Sequence, residues 1–164
     1  RDRKQNHCLL SLFLQRRILS FYLTCKDITL KFRIDYDAGL IEIAKRENKA
    51  ENVEYIVGDV TKDLQGRKFD LALLTHVIEH IEDADKILRE LHTVASKLIV
   101  EVPDFEHDSL NWMRLQQGCQ FYSDGDHVRE YTLEILVNQV ERNGWKVIES
   151  YKNGGAVLVV CEQP

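Results

Sequence analysis

The chain has 164 residues, 44% hydrophobic and 30% charged, which is the size and make-up of one globular domain with a real core. Its net charge of −5 is unevenly spread: residues 1–33 hold eight basic and two acidic residues (+6), and the remainder holds 14 basic and 25 acidic (−11). Four cysteines, Cys8, Cys25, Cys119 and Cys161, form no C-x-x-C pair, and no apolar run nears the roughly 20 residues of a membrane span. A zinc ribbon, a disulfide scaffold and a membrane-spanning helix are thereby excluded. No small-residue cleavage site follows the apolar run Leu9–Leu14, so a reduced, cytoplasmic setting is expected.

Taken in chain order, the apolar spacing predicts a helix over Asn6–Leu23 and a strand over Thr29–Ile34. Asp37 is placed to cap a helix over Ala38–Asn48, and Val53–Val57 reads as a short strand. A polar loop, Thr61–Lys68, leads into an apolar strand, Phe69–Leu74. Asp83 caps the next helix, Ala84–Val94, whose Ile87, Leu88 and Leu91 form one stripe. Lys97–Val102 is a strand that stops at Pro103, and Asp104–Asp126 shows no period, as an inserted loop or lid would. Thr132 starts a helix that Asn143-Gly144 ends. Strands Trp145–Tyr151 and Ala156–Cys161 follow, joined by the turn Lys152-Asn153-Gly154-Gly155.

Strands alternating with helices, then a hairpin, imply an α/β fold: a mostly parallel sheet with one antiparallel edge. Ligands of such sheets sit beyond the carboxyl ends of the strands, where the polar motifs of this chain fall. Asp35 ends one strand, and a carboxylate there can accept two hydrogen bonds from a ribose diol. Capping the next helix is its other reading and is preferred for Asp37. Asp59, after Gly58, is placed for the exocyclic amine of a base, helped by the backbone of Val60. A plain turn is nearly as good a reading of it. His127, before the Thr132 helix, can serve as general base for an acceptor oxygen or nitrogen. The alternative is that it orders its loop while Arg129 and Glu130 pair. Trp112, Arg114, Phe121 and Tyr122 either line an acceptor pocket or pin a long loop.

Together, Ile34-Asp35-Tyr36-Asp37, Val57-Gly58-Asp59-Val60, the run Phe69–Ile81 with His76, Glu79 and His80, and Lys97–Pro103 resemble a class I S-adenosylmethionine-dependent methyltransferase. The segment Asp126–Thr132, the helix after it and Asn143-Gly144-Trp145 resemble the closing section of that family. The resemblance spans about residues 34–162. It implies a Rossmann-like three-layer sandwich and S-adenosyl-L-methionine as cofactor, bound through Asp35, Tyr36, Asp59, Val60 and Thr75. It implies methyl transfer to an O or N acceptor, small or macromolecular, with His76, His80 and His127 as base or acceptor-orienting groups. One departure stands out: the first glycine is Gly39, so the family's glycine-rich turn has no counterpart before Ile34.

The sequence therefore divides into an atypical basic segment, 1–33, and a methyltransferase-like domain, 34–164, with the first strand and its turn missing or replaced. The second reading is a catalytically inactive or truncated form of the same fold. A third, nucleic-acid binding, has only the basic leader in its favour. Some family members, small-RNA ribose methyltransferases and ubiquinone-pathway O-methyltransferases, hold a divalent ion on Glu-x-x-Glu-His. Here the pattern is His76-x-x-Glu79-His80, and a metal-free packing motif is the preferred reading.

Overall fold

The computed structural model describes residues 8–13, 30–47, 52–60, 62–64 and 66–164. Seven strands among these residues form one sheet: β1 (Cys8–Phe13), β2 (Leu30–Asp35), β3 (Val53–Val57), β4 (Phe69–Thr75), β5 (Ala95–Pro103), β6 (Lys146–Asn153) and β7 (Ala156–Glu162). Their spatial order is β3-β2-β1-β4-β5-β7-β6. Neighbours from β3 to β5 run parallel, and β7 is antiparallel to both β5 and β6.

β1 corrects the sequence reading. The central strand taken as missing is present, with Leu10 beside Phe32 of β2 on one side and Ala72 of β4 on the other. Over Cys8–Phe13 the chain is strand where a helix was expected; the rest of the Asn6–Leu23 expectation lies outside the described residues. A strand at the middle of a parallel sheet reads as a mostly apolar run without clean alternation, here Cys-Leu-Leu-Ser-Leu-Phe. Periodicity cannot tell such a short run from a helix segment. β1 and β2 also carry the sheet across the division placed at residues 33 and 34.

The helices keep close to their expected bounds. Helix α1 (Ala38–Glu47) is capped by Asp37, whose Oδ1 accepts from the N–H of Gly39 at 2.7 Å and of Leu40 at 3.2 Å. Asp83 caps α2 (Ala84–Val94) through the Lys86 N–H, and it buries Ile87, Leu88 and Leu91. The expected loop 104–126 holds a two-turn helix, α3 (Ser109–Gln116), capped by Asp108. It escaped the periodicity test because Leu110, Trp112, Met113 and Leu115 are all partly exposed, so no single face is apolar. Thr132 caps α4 (Leu133–Arg142), and Gly144, at φ 92°, closes it with its N–H on the Glu141 carbonyl.

Two interactions clamp the helices to the sheet. The fully buried Trp145, just before β6, donates its indole N–H to the Leu88 carbonyl of α2 at 3.0 Å. Asp85 of α2 accepts from Gln139, Arg142 and Asn143 of the α4 end at 2.8–2.9 Å. Its partial burial would raise its pKa. The hydrogen bonds from Arg142, Gln139 and Asn143 and the charge of Arg142 win, pulling it down to about 2. Gly154 and Gly155, both at positive φ, make the two-residue turn of the β6–β7 hairpin.

Candidate active site

At the carboxyl ends of β2, β3 and β4 lies a cleft of about 450 Å³. Its walls include Asp35, Tyr36, Asp59, Val60, His80 and Asp126. The strand order reverses between β1 and β4, and a doubly wound sheet opens a crevice at such a point.

Asp35 stands where β2 stops. Its Oδ1 accepts from the Asp37 N–H at 3.0 Å, and its carbonyl accepts from the Gly58 N–H, tying the ends of β2 and β3 together. Burial raises its pKa; the Asp37 N–H and the charge of Arg33 offset part of that rise. Tyr36 is exposed beside it. Asp59 also serves its turn: its N–H donates to Asp63 at 2.7 Å and its carboxylate pairs with Lys62 at 2.9 Å. A Cβ on Gly58 would lie 2.5 Å from Asp63 Oδ2 and would push the Asp63 carboxylate off the Asp59 N–H.

β4 ends in the buried Thr75, whose Oγ1 makes no hydrogen bond among the described residues. Thr75 lies behind the cleft wall. The next residue, His76, takes a left-handed φ of 52°, a strained conformation for a side chain of its size. Of the stretch His76–His80 only Ile78–His80 is helical, as a single 3₁₀ turn. The groups still converge, on Glu79. Its Oε1 lies 3.3 Å from His76 Nδ1 and 3.9 Å from His80 Nε2. His76 Nε2 lies 3.7 Å from Glu101, and Glu79 above all raises the His76 pKa.

Among the three expected histidines only His80 forms part of the cleft wall, with Nδ1 at 3.1 Å from Asp126 Oδ1. His127 packs edge-on against it, ring centroids 4.7 Å apart, and its Nδ1 is held by Glu130 at 3.0 Å and Ser123 at 3.2 Å. Backbone N–H groups of Val128 and Arg129 donate to the Glu79 carbonyl, fastening the 126–130 loop over the turn after β4. Sequence reasoning missed Glu101, Asp126 and Glu130 as site residues. Glu101 had a signal, a carboxylate inside an apolar strand; the other two are brought in only by loop closure. Trp112 and Phe121 pack edge-on against Phe105, at 5.1 and 5.8 Å, and Tyr122 stacks on Phe121, an arrangement that pins the loop.

This strand order, with the cleft at the ends of β2 and β3, defines the class I methyltransferase fold. Residues 20–97 match the family described as methyltransferase domain. Solved structures of similar fold include a chain from the complex between the Haloferax volcanii Trm112 methyltransferase activator and a methyltransferase. It is 14% identical, with 97% of this chain and 82% of that one covered and a TM-score of 0.74. Magnesium protoporphyrin IX methyltransferase from Synechocystis, with bound S-adenosylhomocysteine, is 13% identical over 95% and 74%, TM-score 0.71. The N-methyltransferase NodS from Bradyrhizobium japonicum, in complex with S-adenosylhomocysteine, is 13% identical over 96% and 78%, TM-score 0.70. A search of curated proteins by sequence finds no match. No helix among the described residues is long and apolar enough to cross a membrane.

Proposed function

We propose that the chain binds S-adenosylmethionine in the cleft between Asp35 and His80 and moves its methyl group to an O or N acceptor. The observation that carries this reading is the placement of a buried carboxylate, Asp35, at the end of β2, facing the Gly58–Val60 turn across one cleft. Asp35 accepts the ribose hydroxyls, and Tyr36 covers the nucleoside from the solvent side. Asp59 and the Val60 N–H meet the base edge. Thr75 stands behind the cleft wall at the end of β4, and its hydroxyl, without a partner among the described residues, suits a polar group of the methionine portion.

S-adenosylmethionine supplies a methyl group on a sulfonium, whose sulfur leaves as a neutral sulfide. The acceptor lone pair forms the new bond to the methyl carbon as the carbon–sulfur bond breaks in line, and the chain's task is alignment and removal of the acceptor proton. His80 is the imidazole at the cleft wall, with His127 behind it in a fixed tautomer set by Glu130. His76, its pKa raised by Glu79, suits charge placement better than proton removal. The similar structures include a porphyrin-directed enzyme and an N-methyltransferase by name, so the fold leaves the acceptor class open. Cys119 and Cys161, free among the described residues, fit a reducing, cytoplasmic setting.

One observation favours the second reading, a methyltransferase fold without activity: no glycine occurs before Gly39, where the family's cofactor turn belongs. Residues 14–29, which follow β1, lie outside the described residues. Calorimetric titration with S-adenosylhomocysteine, beside an Asp35→Ala control, separates the two. Micromolar binding that the control loses supports the enzyme. A folded sample that takes up no ligand at high concentration sinks it in favour of the inactive form.

A further inference from the structure

We propose that helix α3 is the shelf on which the methyl acceptor lays its apolar body, so that the acceptor is an uncharged or cationic small molecule with a sizeable apolar part. This rests on the methyl-transfer reading and gives it a substrate class. α3 follows the carboxyl end of β5, the same end of the sheet as the cleft. The residue it buries is polar: the Asn111 amide donates to the Phe105 carbonyl at 3.0 Å, and its Oδ1 accepts from Arg114 at 3.2 Å. Its large apolar residues are the ones left out, with Leu110, Trp112, Met113 and Leu115 between 41% and 60% exposed. Apolar side chains scattered singly over a surface need no explanation, but four within two helical turns make one patch.

Size and charge select the occupant. Four half-exposed side chains of this kind present on the order of 400 Å², the scale of the largest patch on a typical monomer. A stable protein interface takes about 800 Å² from each partner, so a second copy of the chain or a partner protein would need far more than α3. The apolar part of a small molecule needs no more than this. The carboxylates of Glu106, Asp108, Asp124 and Asp126 stand exposed on the segments before and after the helix. Of the cations near them, Arg114 lies 3.9 Å from Asp108, and Lys152 is held between Asp104 and Glu106. Phosphates of a nucleic acid or an anionic lipid would meet the wrong sign there. A row of rings leads from the helix to the cleft: Trp112 packs on Phe105, Phe105 on Phe121 and Phe121 on Tyr122, with centroids 4.8–5.8 Å apart. Ser123 follows, hydrogen-bonded to His127 at 3.2 Å, and His127 packs on His80 in the cleft wall. An acceptor whose apolar part lies on α3 carries its nucleophile along these rings toward His80.

Trp112 is a built-in reporter, because Trp145, the other tryptophan, is fully buried. The full chain with S-adenosylhomocysteine is titrated with octylamine and with para-octylphenol, and binding is followed by tryptophan emission and by calorimetry. The expected result is a blue shift with either probe and none with octanoate, a single-stranded oligonucleotide or phosphatidylglycerol vesicles at matched concentration. Trp112→Phe should remove the optical signal and keep the heat. Met113→Gln with Leu115→Gln should cut probe affinity at least about 10-fold, as the loss of two apolar contacts implies. S-adenosylhomocysteine affinity should stay unchanged in that variant. Circular dichroism checks its fold, and Met113→Gln alone, at the most exposed position, serves if the pair does not fold. No shift with either probe, from a chain that binds S-adenosylhomocysteine, overturns the shelf and spares the methyl-transfer reading. A folded chain that takes up no S-adenosylhomocysteine sinks that reading and the acceptor with it. Probe affinity unchanged in the glutamine variants also overturns the shelf. So does an equal response to octanoate, oligonucleotide or vesicles, or a blue shift that grows with protein concentration alone, the mark of a second copy on α3.

Discussion

On the β4-β5-β7-β6 side, the sheet is sealed by α2 and α4. Leu74, Leu98, Val100, Val157 and Val159 meet Leu88, Leu91, Leu136 and Val140 in one apolar cluster, nearly all fully buried. On the β2–β3 side, only Phe32 and Ile34 of β2 join that cluster as buried members, and they alternate with buried Lys31, Arg33 and Asp35. β3 buries no residue fully and leaves Val57 exposed. The difference separates scaffold from site: one side is sealed by apolar packing, and the other alternates apolar and polar buried residues and ends in Asp35 at the cleft. Mutations on the two sides should therefore be read by different instruments.

The largest expected effect is on the apolar side. Leu88→Ala leaves a cavity under Trp145 and should cost about 2–5 kcal/mol in chemical denaturation. A loss below about 1 kcal/mol would mean the core is not organised around α2. Next comes Asp35→Ala, which should cut S-adenosylhomocysteine affinity about 10- to 100-fold, a charged hydrogen bond's worth, with little change in melting temperature. A large fall in melting temperature would erase the distinction between the two sides.

Acid should act on the two sides with opposite sign. Asp85 has its pKa lowered to about 2, so its contribution is present above the ordinary carboxylate range and is lost as pH falls toward 2. The carboxylate is 31% exposed, so about 1–2 kcal/mol is a fair size for that loss, and Asp85→Asn should flatten it. Asp35 has a raised pKa, so its ionisation weighs against the free fold as pH rises through that value. Nucleoside affinity, which needs the carboxylate, should strengthen over the same window, and an affinity flat across acidic pH would count against Asp35. The smallest effect is Gly144→Ala. Forcing a Cβ onto φ 92°, 3.4 Å from His92, should cost about 1–2 kcal/mol. An unchanged stability would show that the α4 end can re-form without a left-handed residue.

The apolar side was the more legible one. The caps Asp37, Asp83 and Thr132, the Asn143-Gly144 stop and the glycine hairpin are local chemistry, and each stands where sequence placed it. So does Asp35, because a carboxylate that ends an apolar strand announces itself. β1 was not legible: six apolar-rich residues with no following glycine carry no period and no turn signal. The Glu79 cluster was half legible. The His76-x-x-Glu79-His80 spacing was visible, but the left-handed His76 and the approach of Asp126 and Glu130 depend on a loop from about 50 residues downstream closing over the turn.

The place of β1 has a consequence for synthesis. Among the described strands β1 comes earliest in the chain and lies between two others, and its second neighbour, β4, begins only at Phe69. At roughly 5–20 residues per second, the nascent chain must carry one open side of its central strand for several seconds. Whatever shields Cys8–Phe13 in that interval, whether β2 arriving at Leu30 or a chaperone, guards the middle of the sheet. A lesion there would part the molecule into a two-stranded and a four-stranded piece, whereas a lesion at β3 or β6 would only trim an edge.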